Sequence, residues 1–393
     1  MQTVVLAAGR GTRMRPLTDR RPKPTVPVAG RTLVEHVVDA ATAAGASRLV
    51  VVVGYEADAI RDALGDRPAE FVVQERQRGT ADAVLAARDA LDDAPFAVLN
   101  GDVLYDHASL SRLYEAGPAV GAARVDDPEN YGVLETDDAG LVRDVIEKPA
   151  DPPSNLVNAG AYVFPAAARD WLDVTESDRG EYELTDVLAR ACEAGDVRAV
   201  AVDRWLDVGR PWELLEANEW KLGDLERRVA GDVHPDADLR GAVVVEAGAT
   251  VDAGVVIEGP TLVQSGATVG PNAYVRGATL VGDGATVGHA VEVKNSVLMA
   301  GATVGHLSYV GDSVLGRDVN FGAGTTVANL RHDDDPVGVR VKGEPRSTGR
   351  RKFGVVCGDD VKTGIETALN AGVVLGTGAT TKPGETVRRD RGR

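Results

Sequence analysis

Residues 244–275 read "VVEAGATVDAGVVIEGPTLVQSGATVGPNAYV". An apolar branched residue returns at every sixth position: Val245, Val251, Ile257, Val263, Val269 and Val275. Upstream the same phase holds at Val233 and Leu239, and downstream at Val281, Val287 and Val293. It slips by one to Leu298, Val304 and Val310, and again to Leu315, Phe321 and Val327, with Gly and Ala filling much of the space between. A helix repeats near 3.6 and a half-buried strand at two, so neither explains a period of six. Three short strands per coil, each turning one apolar residue into a prism, do explain it. The stretch predicts a parallel β-helix over residues 223–393. Residues 331–352 break the period and read as an excursion; imperfect repeats resume at Gly354. The closing "RRDRGR" reads as a frayed basic tail.

Residues 1–222 have a different texture. "TVVLAA" reads as a strand, and "TLVEHVVDAATAAG" as a helix with Val34, Val37, Val38 and Ala41 on one face and Gly45 as its stop. "RLVVVVGY" is a continuous apolar strand, as a sheet covered on both faces requires. "TADAVLAARDAL" reads as a helix capped by Thr80, and "FAVLNGD" as a strand ending at Gly101 and Asp102. This alternation predicts a doubly wound, Rossmann-like α/β domain over residues 1–222, closed by a helix in "RPWELLEANEWKLGDLERRV". Ligands of such sheets lie beyond the carboxyl ends of the strands, so the ends of "TVVLAA" and "FAVLNGD" should face one crevice.

With 60 acidic and 43 basic residues the formal charge is −17, and arginine takes most of the basic positions. That balance disfavours nucleic acid as a partner. Acid-rich, lysine-poor surfaces suit a salt-rich cytoplasm, so a halophilic source is expected. No apolar run is long enough to span a membrane, and the N-terminus enters a strand without a signal peptide. A cytoplasmic protein is the expectation, with Cys192 and Cys357 as free thiols outside any zinc pattern.

The first strand leads into "AAGRGTRMRPLTDRRPKP". Gly9 and Gly11 let backbone N–H groups approach an anion, and Arg10, Arg13, Arg15 and Lys23 add positive charge. A triphosphate is the anion this loop suits. GxxxxGK[ST] is absent, and GxGxxG is broken by Met14, so neither a P-loop nor a dinucleotide fingerprint is present.

"LAAGRGTRM" with "RPKP" resembles the signature of sugar-nucleotide pyrophosphorylases. "QRGTADA", "NGD", "YGVL", "IEKP", "NAGAYVF", "EYELTD" and "WLDVGRPWELLEAN" follow in that family's order. The resemblance implies transfer of a nucleotidyl group from UTP or dTTP to a sugar 1-phosphate. It puts Leu6, Ala7, Ala8, Gly9 and Gly11 on the nucleotide, with Gln74, Gly79 and Thr80 at the base. Arg13 and Lys23 would contact the phosphates, Asp102 and Asp207 would hold Mg²⁺, and Gly132, Glu147 and Asn158 would meet the sugar.

The β-helical half resembles the acetyltransferase half of bifunctional N-acetylglucosamine-1-phosphate uridylyltransferases, which join the same two domain types in the same order. The motif is "VKNSVLMAGATVGHLSYVGDSVLGRDVNFGAGTTVANL". The archaeal-type sugar-1-phosphate nucleotidylyltransferase/acetyltransferases are similar throughout. The resemblance implies a left-handed β-helix, a homotrimer formed through it, and acetyl-CoA as co-substrate. It makes His306 the base for the amine proton, with Arg276 and Lys294 on the sugar phosphate. Tyr309, Asn320 and Asn329 would line the sugar, and Ala323 the coenzyme arm. Leu330 departs from the family's aromatic, and the excursion departs from the bacterial pattern, which leaves glucosamine and galactosamine 1-phosphate both open as acceptor. "RPLTDRRPKP" is shared with glucose-1-phosphate uridylyl- and thymidylyltransferases, so a monofunctional enzyme with a structural β-helix is the second reading.

Overall fold

The structure is a computed structural model, and it describes residues 1–392. The chain forms two compact units. The first comprises Met1–Arg10, Pro22–Thr25 and Thr32–Asp207; the second comprises Gly11–Arg21, Val26–Arg31 and Val208–Arg393.

The first unit is a nine-stranded mixed sheet with helices. Strand β1 (Gln2–Leu6) lies parallel between β2 (Arg48–Val53) and β3 (Phe96–Asn100). Val4, Val5, Val50, Val51, Val52, Val53 and Phe96 are fully buried, which accounts for the unbroken apolar run in "RLVVVV". Helix α1 (Leu33–Ala43) buries the predicted Val34, Val37, Val38 and Ala41, and Thr32 with Glu35 forms its capping box. The sheet is extended by antiparallel strands, among them Leu156–Phe164, which pairs with β3. Register sets Leu6 beside Asn100, and Gly101 donates its N–H to Leu6 O at 2.9 Å. The two glycine-bearing strand ends therefore share one edge, as expected. Thr80 is not a cap: Gly79 is the N-cap of α2 (Thr80–Ala86), and the Thr80 hydroxyl accepts from Leu184 N at 2.9 Å. The cap rule failed because a tertiary partner claimed the hydroxyl.

The second unit is a left-handed parallel β-helix of three sheets, with eight, six and eight strands. Val245 pairs with Val263 and Val263 with Val281, one coil of 18 residues each. The coil shortens to 17 at Val281–Leu298 and Leu298–Leu315, so each phase slip in the sequence is one residue lost from a corner. The inward residues are buried almost completely, each contributing about 2 kcal/mol of apolar burial. The excursion is an antiparallel hairpin, Gly338–Val341 with Glu344–Ser347. The sheets close across it, pairing Leu315 with Cys357 and Val327 with Leu369.

The basic tail is not frayed through Gly392. Arg391 pairs with Leu375, donates its N–H to Val374 O, and salt-bridges Glu385. Arg393 lies outside the described residues.

The helix α3 (Pro211–Gly223) belongs to this second unit, together with the segment that follows the first strand. Arg21 donates to both oxygens of Asp359 at 2.8 and 2.9 Å, and Arg317 donates to the same carboxylate. Arg20 pairs with Asp360, and Thr377 donates to Asp19. Among the described residues no helix is long and apolar enough to cross a membrane.

Candidate active sites

In the first unit Lys23 is the focus. It sits in a one-turn helix, Lys23–Thr25, with only 5% of its side chain exposed. Its ammonium donates to Asp102 Oδ2 at 2.7 Å and to Asp207 Oδ1 at 3.4 Å. A short ribbon explains the convergence: Trp205–Asp207 pairs antiparallel with Val103–Tyr105, so Asp207 lies opposite Val103, next to Asp102. Two hard oxygen donors already share one cation there. That donor set suits Mg²⁺, which keeps several waters and takes one or two carboxylates plus substrate phosphates. No group of three or more His, Cys, Asp or Glu among the described residues forms a metal cage.

Leu6, Ala7 and Ala8 carry the strand to its edge, where Ala7 donates to Val52 O. A Cβ built at Gly9 would meet nothing within 4 Å, so the backbone there is open to approach. Gly11, with φ 65°, starts the turn Thr12–Met14. Arg13 lies on that turn within the second unit, 3.2 Å from where a Cβ at Gly209 would stand, near Glu213.

The predicted base loop is built around Gln74, which donates to Gly79 O at 3.2 Å and to Asp82 at 2.7 Å. A side chain at Gly79 would run into the Tyr182 backbone, which receives the N–H of Ala81. Arg78 pairs with Asp82 and covers the Tyr182 ring. Gln74 and Asp82 line a cavity of about 360 Å³.

The three predicted sugar residues do come together. A Cβ at Gly132 would stand 2.9 Å from Glu147 Oε2 and 3.7 Å from Asn158 Cβ. Asn158 donates to Tyr162 Oη and accepts from Gly160 N. Burial pushes the Glu147 carboxyl above its ordinary range; Lys148 opposes this and Glu183 adds to it.

In the second unit His306 is exposed on a corner of the β-helix, and Ala323 occupies the same corner one coil on. His306 O accepts from Gly324 N at 2.9 Å. Register stacks Arg276 on Lys294, and Arg276 pairs with Glu292 at 2.8 Å. Lys294, Tyr309 and Asn329 share one network. Lys294 Nζ donates to Asp312 at 2.9 Å, and Asn329 Nδ2 donates to Asp312 at 2.6 Å and to Tyr309 Oη at 3.1 Å. Burial and Asp312 raise the Tyr309 hydroxyl above its usual range. Asn320 lies on a different face, in register with Thr303, and is not part of this network. Sequence reasoning missed Asp312, Glu292 and Asp82. Asp312 and Asp82 stand between small residues and read as a solvated turn acid and helix acid, and Glu292, between Val291 and Val293, reads as a solvent-facing strand acid until the fold is known.

The comparisons agree on both halves. The nucleotidyl transferase family model matches residues 2–222, and the model described as GMPPB C-terminal domain matches residues 257–383. A bifunctional protein GlmU of Methanococcus vannielii is 41% identical over 387 residues, covering 96% of this chain and 92% of the relative. A bifunctional sugar-1-phosphate nucleotidylyltransferase/acetyltransferase of Sulfurisphaera tokodaii is 37% identical, covering 100% of this chain and 98% of the relative. A bifunctional protein GlmU of Burkholderia pseudomallei is 35% identical, with 99% and 94% covered.

Proposed function

The chain belongs to the bifunctional GlmU and sugar-1-phosphate nucleotidylyltransferase/acetyltransferase family, and from that premise we propose that it makes a UDP-N-acetylhexosamine in two steps. The β-helix acetylates glucosamine 1-phosphate from acetyl-CoA. The product's phosphate oxygen then attacks the α-phosphorus of UTP, and pyrophosphate leaves. The observation that carries the reading is Lys23, a buried ammonium held between two strand-end carboxylates. Such a cation is already desolvated and aimed, so it can take a phosphate oxygen with little reorganisation.

No protein nucleophile is required. Arg13 offers a planar, bidentate donor to the phosphate chain. Lys23 steadies the reacting phosphates, while Gly132, Glu147 and Asn158 orient the sugar and Gln74, Gly79 and Thr80 the base. Asp102 and Asp207 would hold Mg²⁺, which would supply charge neutralisation for the phosphates. In the other site, the amine attacks the thioester carbonyl, His306 takes the amine proton, and coenzyme A leaves as its thiol. Arg276 and Lys294 hold the sugar phosphate, Tyr309 and Asn329 meet the sugar, and Ala323 lies by the coenzyme arm. Leu307 and Ile365, 65% and 55% exposed, flank the His306–Ala323 corner and support assembly of a homotrimer through the β-helix. The acidic surface supports a salt-rich cytoplasm as its setting.

A panel tests this. UTP, dTTP, ATP and GTP are paired with N-acetylglucosamine, N-acetylgalactosamine and glucose 1-phosphates, reading pyrophosphate release. Acetyl-CoA is paired with both hexosamine 1-phosphates, reading thiol release. UTP with N-acetylglucosamine 1-phosphate, and glucosamine 1-phosphate, should be fastest. No thiol release with either hexosamine would remove the acetyl-transfer half.

A further inference from the structure

The charged column on one face of the β-helix runs in register through Arg240, Glu258, Arg276 and Lys294, then stops at Gly311. Gly311 leaves a hole, and the network fills it: a Cβ there would lie 2.6 Å from Asn329 Nδ2 and against Tyr309 Oη. Beneath these groups lies Asp312, whose side chain is 4% exposed. Its carboxylate accepts from three donors on the two neighbouring coils: Lys294 Nζ at 2.9 Å, Asn329 Nδ2 at 2.6 Å and Asn295 Nδ2 at 3.0 Å. Asn295 in turn donates to Glu219 of α3 at 2.8 Å, and Glu219 also holds Arg350 where the excursion returns.

The backbone marks the same place. This corner is left-handed at Gly241 and, two coils on, at Gly277, where φ is 74° and 69°. On the next two coils it carries Asn295 and Asp312, at φ 44° and 51°. Asn and Asp are the non-glycine residues that tolerate this conformation best. Glycine would have served the corner alone, so the polar side chains are there for what they touch.

We propose that Asp312 is a positioning residue for the acetyl acceptor, its buried carboxylate fixing Lys294 and Asn329, and through Asn329 the Tyr309 hydroxyl, where the amino-sugar phosphate docks. This deepens the acetyl-transfer reading and rests on it. A buried carboxylate is retained at such a point when every oxygen is hydrogen-bonded and a cation balances it, and both conditions hold here. All three partners are donors. An amide at 312 would turn its own NH₂ toward at least one of them, leaving a buried donor facing a donor.

The test is Asp312→Asn in the full-length protein, with glucosamine 1-phosphate as the varied acceptor. The KM for glucosamine 1-phosphate should rise about tenfold or more, the loss of one charged hydrogen bond. The KM for acetyl-CoA and the rate of pyrophosphate release should stay within about twofold. An unchanged acceptor KM in a folded variant, or an equal rise in both acetyl-transfer KM values, overturns the positioning role. Should Asp312→Asn fail to fold, Asn295→Gly removes one donor at a backbone glycine adopts freely. A smaller rise in acceptor KM alone supports the role, and no rise overturns it. Absence of thiol release by the wild-type protein would instead remove the acetyl-transfer reading, and this role with it.

Discussion

The two candidate sites are assembled by opposite means. Lys23, Asp102 and Asp207 meet because three loops at strand ends happen to converge, each held by its own local device. Lys294, Asp312 and Asn329 meet because the chain passes the same face once per coil, 17 or 18 residues apart. Loop convergence gives freedom of geometry and depends on anchors outside the site. Stacking gives little freedom, and the register itself is the anchor. Substitutions should therefore act differently in the two regions.

The largest effect expected is a clean separation of activities. Lys23→Ala should lower pyrophosphate release by roughly 10³-fold, the scale of losing a preorganised charge donor. His306→Ala should lower thiol release by roughly 10²- to 10⁴-fold, the usual worth of a general base. Each variant should leave the other reaction within about twofold. The contrast between the regions breaks if Lys23→Ala also depresses thiol release, because loop and coil would then share one machinery.

Next in size is a stability effect. Asp359 belongs to a β-helical coil and grips Arg21 in the segment that also carries Arg13. Burial alone would raise its pKa, but Arg21 and Arg317 hold it below the ordinary carboxylate range. Asp359→Asn should cost about 3 kcal/mol at neutral pH, since it leaves a buried guanidinium without its counter-ion. The folded pKa lies below the unfolded one, so this contribution is complete above about pH 4 and is lost as pH falls through the folded value. Urea unfolding of wild type and variant should diverge at pH 7 and draw together in acid. Equal stabilities at pH 7 would mean the segment is held by its apolar contacts alone.

These contrasts also explain what could be read in advance. The period of six and its two slips needed only a list of apolar residues, and each slip is one residue removed from a corner between Val281 and Leu315. Gly132, Glu147 and Asn158 were legible because each sits in its own short motif. Asp312 was not, because a carboxylate after glycine looks the same whether it faces water or three donors on neighbouring coils. Thr80 misled for a related reason. A threonine before a helix normally caps it, and nothing local reveals that Leu184, 104 residues away, takes its hydroxyl. The tail "RRDRGR" misled as well, because its charge suggested solvent, while Arg391 pairs with the last coil.

The smallest effect sharpens the comparison by reversing a sign. Glu147 is also a partly buried carboxylate, but burial outweighs its neighbours and its pKa is raised. Its ionised form therefore works against folding: the favourable contribution exists below the unfolded value, near pH 4, and is lost as pH rises through the folded one. Glu147→Gln should leave stability at pH 7 unchanged or higher, opposite to Asp359→Asn. It should nevertheless raise the KM for the sugar 1-phosphate about tenfold, because an acceptor for sugar hydroxyls is weakened. Wild-type sugar affinity should itself decline as pH falls through the raised pKa, sooner than an ordinary carboxylate would allow, whereas the variant's should not. Thermal unfolding and a KM–pH profile decide the matter. A less stable Glu147→Gln with unchanged KM would make Glu147 a structural ion like Asp359, and the loop-built site would lose the one residue that trades stability for binding.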